Sequence, residues 1–136
     1  MLSRMLYIST AVGPITTAVT GTILRSAQAH NASHGITGVL CQGRGVYLQV
    51  LEGESSKTEA LYARIVLDKR HQNVVLRLQE NIQNRRYGKW AMAHIDMSHL
   101  ATPEIAFDPY TATGNQLMAK MDELIAAGKV MDSPVA

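Results

Sequence analysis

Three side chains of this sequence stand where polar chemistry costs the fold something. Gln49 sits in the middle of the apolar run Val46–Leu51. A buried amide left without partners costs about 1–3 kcal/mol, so a glutamine there implies a neighbour that uses both its carbonyl and its NH2 group. Asn31 is a second amide, at the end of a stretch with helical spacing, and Tyr7 is a phenol in the first apolar run. Arg64 adds a fork of donors suited to carbonyl or phosphate oxygens. Each has a plainer reading on its own. Tyr7 reads as a half-buried strand aromatic, Gln49 as a satisfied core amide, Asn31 as a helix C-terminal residue tolerating left-handed backbone, and Arg64 as a surface charge. Only a fold that brings them together makes a site.

The elements that must position them are legible. Arg4–Ser9 alternates, with Met5, Tyr7 and Ser9 on one face and Leu6 and Ile8 on the other. Thr17–His30 has helical spacing at Val19, Ile23, Leu24 and Ala27, and Asn31–Gly35 ends it. Ile36–Cys41 and Val46–Leu51 flank Gln42-Gly43-Arg44-Gly45, a hairpin signal. A capping pattern at Ser56 and Glu59 opens a second helix over Lys57–Leu67, with Leu61, Ile65 and Asp68 on one stripe. Val74–Glu80 and Trp90–Ile95 read as a fourth and a fifth strand. Lys69-Arg70-His71 and Arg85-Arg86 read as solvated turns. Thr102-Pro103 and Asp108-Pro109 mark a connector, and residues 115–127 form an amphipathic helix stopped by Gly128.

The order is that of a ferredoxin-like βαββαββ sandwich of the α+β class, with two helices on one face of a five-stranded mixed sheet and a C-terminal helical extension. On the third strand Tyr47, Gln49 and Leu51 share one face, while Val46, Leu48 and Val50 share the other. If Gln49 faces the helices, the far face is still apolar and needs a cover. The stripe Leu117, Met121, Leu124 and Ile125 is one candidate and a partner chain is the other.

At 136 residues the chain is one core-forming unit, and 46% hydrophobic with 18% charged residues is a globular balance. A net charge of +2 is too mild for a nucleic-acid footprint. One cysteine excludes an internal disulfide and favours a reducing compartment. No apolar run is long enough for a signal peptide or a membrane span, so a cytoplasmic protein is expected.

YLQVLEG around Gln49, NxxxGITG from Asn31, RIVxDxRH from Arg64 and RRYxxWxM from Arg85, in this order, resemble the BLUF family of flavin-binding blue-light sensors. The resemblance covers residues 3–96. It implies a flavin ring held without a covalent bond between the two helices, and the ring edge suits amides, since it presents carbonyl acceptors and an N3–H donor. Its counterparts here are Tyr7 and Gln49 as the photochemical pair, and Ile23, Asn31, Gln49, Arg64, Ile65, Asp68, Arg70 and His71 as cofactor contacts. Trp90 and Met92 match the fifth-strand pair that relays the signal. Ala27 stands where many relatives carry serine, and His30 where some carry a second asparagine. In the family, light takes an electron and then a proton from the tyrosine; both return, and the glutamine is left rotated or tautomerised. The resemblance implies FAD, with FMN or riboflavin able to substitute, and no catalysed reaction. It divides the chain into a photosensor domain over 1–96 and a connector with a capping helix over 97–136. That leaves no room for an effector domain, so output in trans to a partner protein is expected, from a homo-oligomer that binds neither nucleic acid nor membrane.

Other readings find less support. His30 and His34 have metal-ligand spacing on a helix, but no third ligand is evident. Cys41 lies in an apolar strand as an inert thiol. An enzyme on the same fold needs a nucleophile or base in a cleft, and neither a carboxylate pair nor a Ser-His arrangement is present. The remaining alternative is a protein-interaction module that has lost its flavin.

Overall fold

Five segments of apolar alternation pair into one mixed sheet. The computed structural model describes residues 1–13, 17–43, 45–96 and 111–126. The chain runs β1 (Leu2–Ala11), α1 (Thr17–His34), β2 (Thr37–Gly43), β3 (Val46–Glu54), α2 (Ser55–Val66), β4 (His71–Asn81), β5 (Ala93–Asp96) and α3 (Gly114–Ala126). Strand order is β4-β1-β3-β2-β5. The β2–β5 pair is parallel and the others are antiparallel. This is the expected α+β, ferredoxin-like arrangement. The expected connector and the Gly128 stop lie outside the described residues, as does the side chain of Val19.

The register sets the chemistry. Tyr7 of β1 lies directly opposite Gln49 of β3, and Leu40 of β2 lies on its other side. Register shifts on the β1–β4 pair fall on both sides of Tyr7, between Leu6 and Tyr7 and between Ile8 and Thr10. Such irregularities re-aim side chains beside functional sites. The β2–β3 pair needs Gly38, because a Cβ there would sit 2.0 Å from the Val50 carbonyl oxygen.

Each sheet face has its own core. On one, Leu24 of α1 and Met92 pack with Ile36, Leu40, Tyr47 and Leu51, and Ile23, Ala27, Leu61 and Ile65 border them. On the other, Leu6, Ile8, Leu48 and Val50 meet Leu117, Met118, Met121 and Leu124 of α3. The C-terminal helix therefore covers the face opposite Gln49 within the same chain. Gly114 allows the close start, since a Cβ there would lie 2.6 Å from the Arg77 carbonyl oxygen.

Several local expectations are corrected. Helix α1 runs through His34, and Asn31 lies inside it. The left-handed residue is Gly35, with φ 66°. The Ile36 amide reaches back to the Asn31 carbonyl at 3.0 Å, a Schellman closure that leaves the Asn31 side chain free for other work. The capping box at Ser56 and Glu59 does not form. Helix α2 starts two residues earlier, at Ser55, its N-cap Glu54 makes no side-chain cap bond, and Ser55 Oγ donates to the Met1 carbonyl at 2.8 Å. Glu59 accepts from Gln79 Nε2 instead, at 3.2 Å. Asp68 lies past the end of α2, off the helical stripe.

Trp90 and Met92 precede β5 and are not part of it. The carbonyls of Trp90, Ala91 and Met92 accept from the Gly38 amide, Asn31 Nδ2 and Gln28 Nε2 at 3.0, 2.8 and 3.0 Å. Two helix side chains thus hold this stretch beside the backbone bond from β2. Nor is Arg85 a solvated turn residue: its guanidinium donates to Thr37 Oγ1, the Glu52 carbonyl and the Gly35 carbonyl at 2.8, 2.9 and 2.6 Å.

Candidate functional site

A cavity of about 270 Å³ opens between α1, α2 and the sheet. Tyr7, Ile23, Asn31, Gln49, Arg64, Ile65, Asp68, Arg70 and His71 all line it. The volume is near the low end of the ~300–1,000 Å³ usual for small-molecule sites. Ile23 and Ile65 supply apolar walls from the two helices. Ser26, Leu40, Tyr47, Leu61 and Leu67 also line it and are not among the cofactor contacts expected from the sequence, although Leu61 shares the Ile65 stripe. For Tyr47 a signal existed, since it shares the Gln49 face of β3.

At the floor, the Tyr7 hydroxyl donates to Gln49 Oε1. That fixes the amide, so Gln49 Nε2 faces the Met92 sulfur at 3.4 Å. Burial holds the Tyr7 phenol far above its ordinary pKa, with the negative charge of Asp68 adding to the effect. The group stays protonated and can keep donating. Met92 is thus the neighbour of the glutamine. Trp90 packs in the cluster on the α3 face.

Asn31 is fully buried, and its Nδ2 is committed to the Ala91 carbonyl. Its Oδ1 has no hydrogen-bond partner among the described residues. A buried acceptor in a cavity wall asks for a donor from whatever fills the cavity.

The rim is charged and ordered. Arg70 grips Asp68 through Nε and Nη2, the shortest contact being 2.5 Å. That hydrogen bonding holds the Asp68 carboxyl below the usual carboxylate range despite partial burial. His71 Nε2 meets the Ile65 carbonyl at 2.6 Å and its Nδ1 meets Ser9 Oγ at 2.7 Å. A carbonyl only accepts, so Nε2 carries the proton and the Ser9 hydroxyl donates to Nδ1 in the neutral ring. Across the mouth Arg64 Nη1 donates to His30 Nδ1 at 3.3 Å. The His30 and His34 rings stack at 4.1 Å. Partial burial lowers the His30 pKa, as do the neighbouring His34 and Arg64. His34 Nδ1 bonds the His30 carbonyl at 2.8 Å, so these nitrogens are engaged within the helix and with Arg64.

The comparisons with known proteins agree with this geometry. Residues 2–93 match the model of the family described as sensors of blue-light using FAD. The chain belongs to the BLUF family. It is 33% identical over 130 residues to the photoactivated adenylate cyclase subunit alpha-like protein FB of Euglena gracilis, covering 82% of this chain. It is 39% identical over 87 residues to the photoactivated adenylate cyclase subunit alpha of the same organism, covering 64% of this chain. The chain spans only 12% and 8% of these two relatives' lengths. Among solved structures it resembles the BLUF protein BlrB in its dark state, with a TM-score of 0.80, 27% identity, and 93% and 96% of the two chains covered. A bacterial light-regulated adenylyl cyclase gives a TM-score of 0.72 at 28% identity, over 95% of this chain and 36% of the other. No helix among the described residues is long and apolar enough to cross a membrane.

The BLUF family uses flavin, and the residues here fit one. The free Asn31 Oδ1 suits a ring N3–H donor, Gln49 and Arg64 offer donors to ring or tail oxygens, and the Ile23 and Ile65 side chains suit the ring faces.

Proposed function

We propose that this chain is a blue-light photoreceptor that holds FAD without a covalent bond and switches by rearranging Gln49. FMN and riboflavin are expected to substitute, because the lining suits the ring. The observation that carries the reading is the hydrogen-bonded line Tyr7–Gln49–Met92 at the floor of a cavity that also presents an unpartnered buried acceptor.

Bound flavin would, on absorbing blue light, supply the acceptor for an electron and a proton from Tyr7. Tyr7 gives up an electron and then its phenolic proton, and regains both. While Tyr7 Oη has lost its hydrogen, nothing fixes Gln49 Oε1, and the amide is free to rotate or tautomerise. In either outcome the bond from Nε2 to the Met92 sulfur is lost or altered. Ile23, Asn31, Arg64, Ile65, Asp68, Arg70 and His71 hold and orient the cofactor throughout. No product leaves, so the chain acts as a switch and not as an enzyme. Met92 and Trp90 carry the change from a sensor unit over 1–96 towards the segment 97–136. Output then passes in trans to a partner protein. We place the protein in the cytoplasm as a homo-oligomer, without direct contact to nucleic acid or membrane.

Purified protein is expected to be yellow, and acid precipitation should leave the colour in the supernatant. Blue light should produce a small reversible red shift of the flavin band. Gln49→Leu and Tyr7→Phe should both bind flavin and lose that shift. Colourless protein that takes up neither FAD nor FMN would sink the reading, and normal switching in Tyr7→Phe would remove Tyr7 as the donor.

A further inference from the structure

The segment that carries Met92 is held by α1, and one of the two side chains that hold it lies outside the flavin cavity. Gln28 and Asn31 are one turn apart on the same face of α1. Asn31 Nδ2 donates to the Ala91 carbonyl at 2.8 Å, and Gln28 Nε2 donates to the Met92 carbonyl at 3.0 Å. The Gly38 amide holds the preceding Trp90 carbonyl at 3.0 Å. Three successive carbonyls of one stretch are therefore pinned from α1 and β2. Asn31 lines the cavity and is tied to the cofactor by the reading above. Gln28 is half-buried, is absent from the cavity wall, and has this one bond to the relay stretch.

We infer that Gln28 is a positioning residue for the light switch, a latch that keeps Met92 against Gln49 and so sets how long the switched state lasts. This rests on the flavin-switch reading. The Met92 sulfur accepts from Gln49 Nε2, so the Met92 side chain loses or changes its polar contact when the amide rearranges. From then on the place of residue 92 depends on its backbone bonds and its packing. A Met92 carbonyl still held by Gln28 keeps the sulfur near and ready for Nε2 to return. With the latch gone, residues 90–92 relax away from Gln49, and return requires them to come back first. Gln28 thus favours the arrangement seen here over any alternative placing of the segment, and its removal prolongs the switched state.

The test compares Gln28→Leu, which removes the donor, with Gln28→Lys, which keeps one. A neutral hydrogen bond contributes about 0.5–1.5 kcal/mol net, so dark recovery after blue light should slow by roughly two- to tenfold in Gln28→Leu and stay near wild type in Gln28→Lys. Gln28→Glu, also without a donor, replaces the leucine variant if that one does not fold. A second readout follows the carbonyl itself. Labelling with 13C-carbonyl methionine and 15N-alanine marks only Met92–Ala93 and Met118–Ala119. In Gln28→Leu the Met92 carbonyl resonance should shift in the dark, while the Met118 signal on α3 stays in place as the reference. Unchanged recovery in a leucine or glutamate variant that binds flavin would overturn the inference, as would a lysine variant that behaves like the leucine one. Wild-type protein that takes up no flavin would instead overturn the reading beneath it.

Discussion

Gln49 and Glu52 are three residues apart on β3, both buried, and they face opposite sides of the sheet. Glu52 faces the α3 side and is saturated. Its carboxylate accepts from Arg4 Nε at 2.8 Å, the Arg86 amide at 3.0 Å and the Tyr87 amide at 2.7 Å. Tyr87 in turn donates to Asp122 of α3 at 2.8 Å, and Arg86 approaches the same carboxylate at 3.4 Å. Gln49 faces the cavity, with one phenol as donor and one thioether, a weak acceptor, as its partners. A group with several charge-assisted bonds has one arrangement. A neutral amide with two partners, one of them weak, has alternatives close in energy. The same strand thus carries a lock on one side and a switch on the other.

Three experiments sharpen or break that contrast. The largest effect should come from truncation after Met97, which removes α3. Leu117, Met118, Met121 and Leu124 are buried side chains worth about 1.5–3 kcal/mol each. Their loss should bare the locked face, giving aggregation or a changed oligomer, with flavin binding kept in any soluble fraction. Unchanged stability with no added dye-binding surface would show α3 to be an idle tail. The next effect concerns the two polar residues directly. Glu52→Gln removes the buried one of the two carboxylates that pair with Arg4, leaving only the partly exposed Glu80 at 3.1 Å, and sets an NH2 group among donors. It should cost about 3–5 kcal/mol in denaturant unfolding. Gln49→Leu in the same assay should cost less, about 1–3 kcal/mol, since it leaves the buried Tyr7 hydroxyl without its acceptor but strands no charge. Equal losses would erase the distinction between lock and switch. The smallest effect belongs to the cavity wall. Asn31→Ala should weaken flavin binding by about tenfold, equivalent to ~1.4 kcal/mol, and the more exposed Arg64→Ala by less. Unchanged titration in both variants would place the ring elsewhere.

The sequence by itself determined the strand and helix order, the pairing face of Gln49 and the family. Those features rest on short-range periodicity, turn residues and motifs of a few residues, all of which are local. Alternation put Tyr7, Tyr47 and Gln49 on the cavity side, and helical spacing showed that 115–127 had an apolar stripe to bury. Tertiary structure alone decided what lay at the other end of each long-range contact. It carried α1 past Asn31 to Gly35, because the Ile36 amide closes on the Asn31 carbonyl. It made Arg85 a brace between Thr37, Gly35 and Glu52, and Glu52 the hub of a loop 34 residues away. It set Met92 beside Gln49 and Trp90 on the α3 side, and it gave Gln28 a partner 64 residues distant. Such bonds depend on which backbone arrives opposite a side chain once the sheet has closed, and no spacing within a single segment records that.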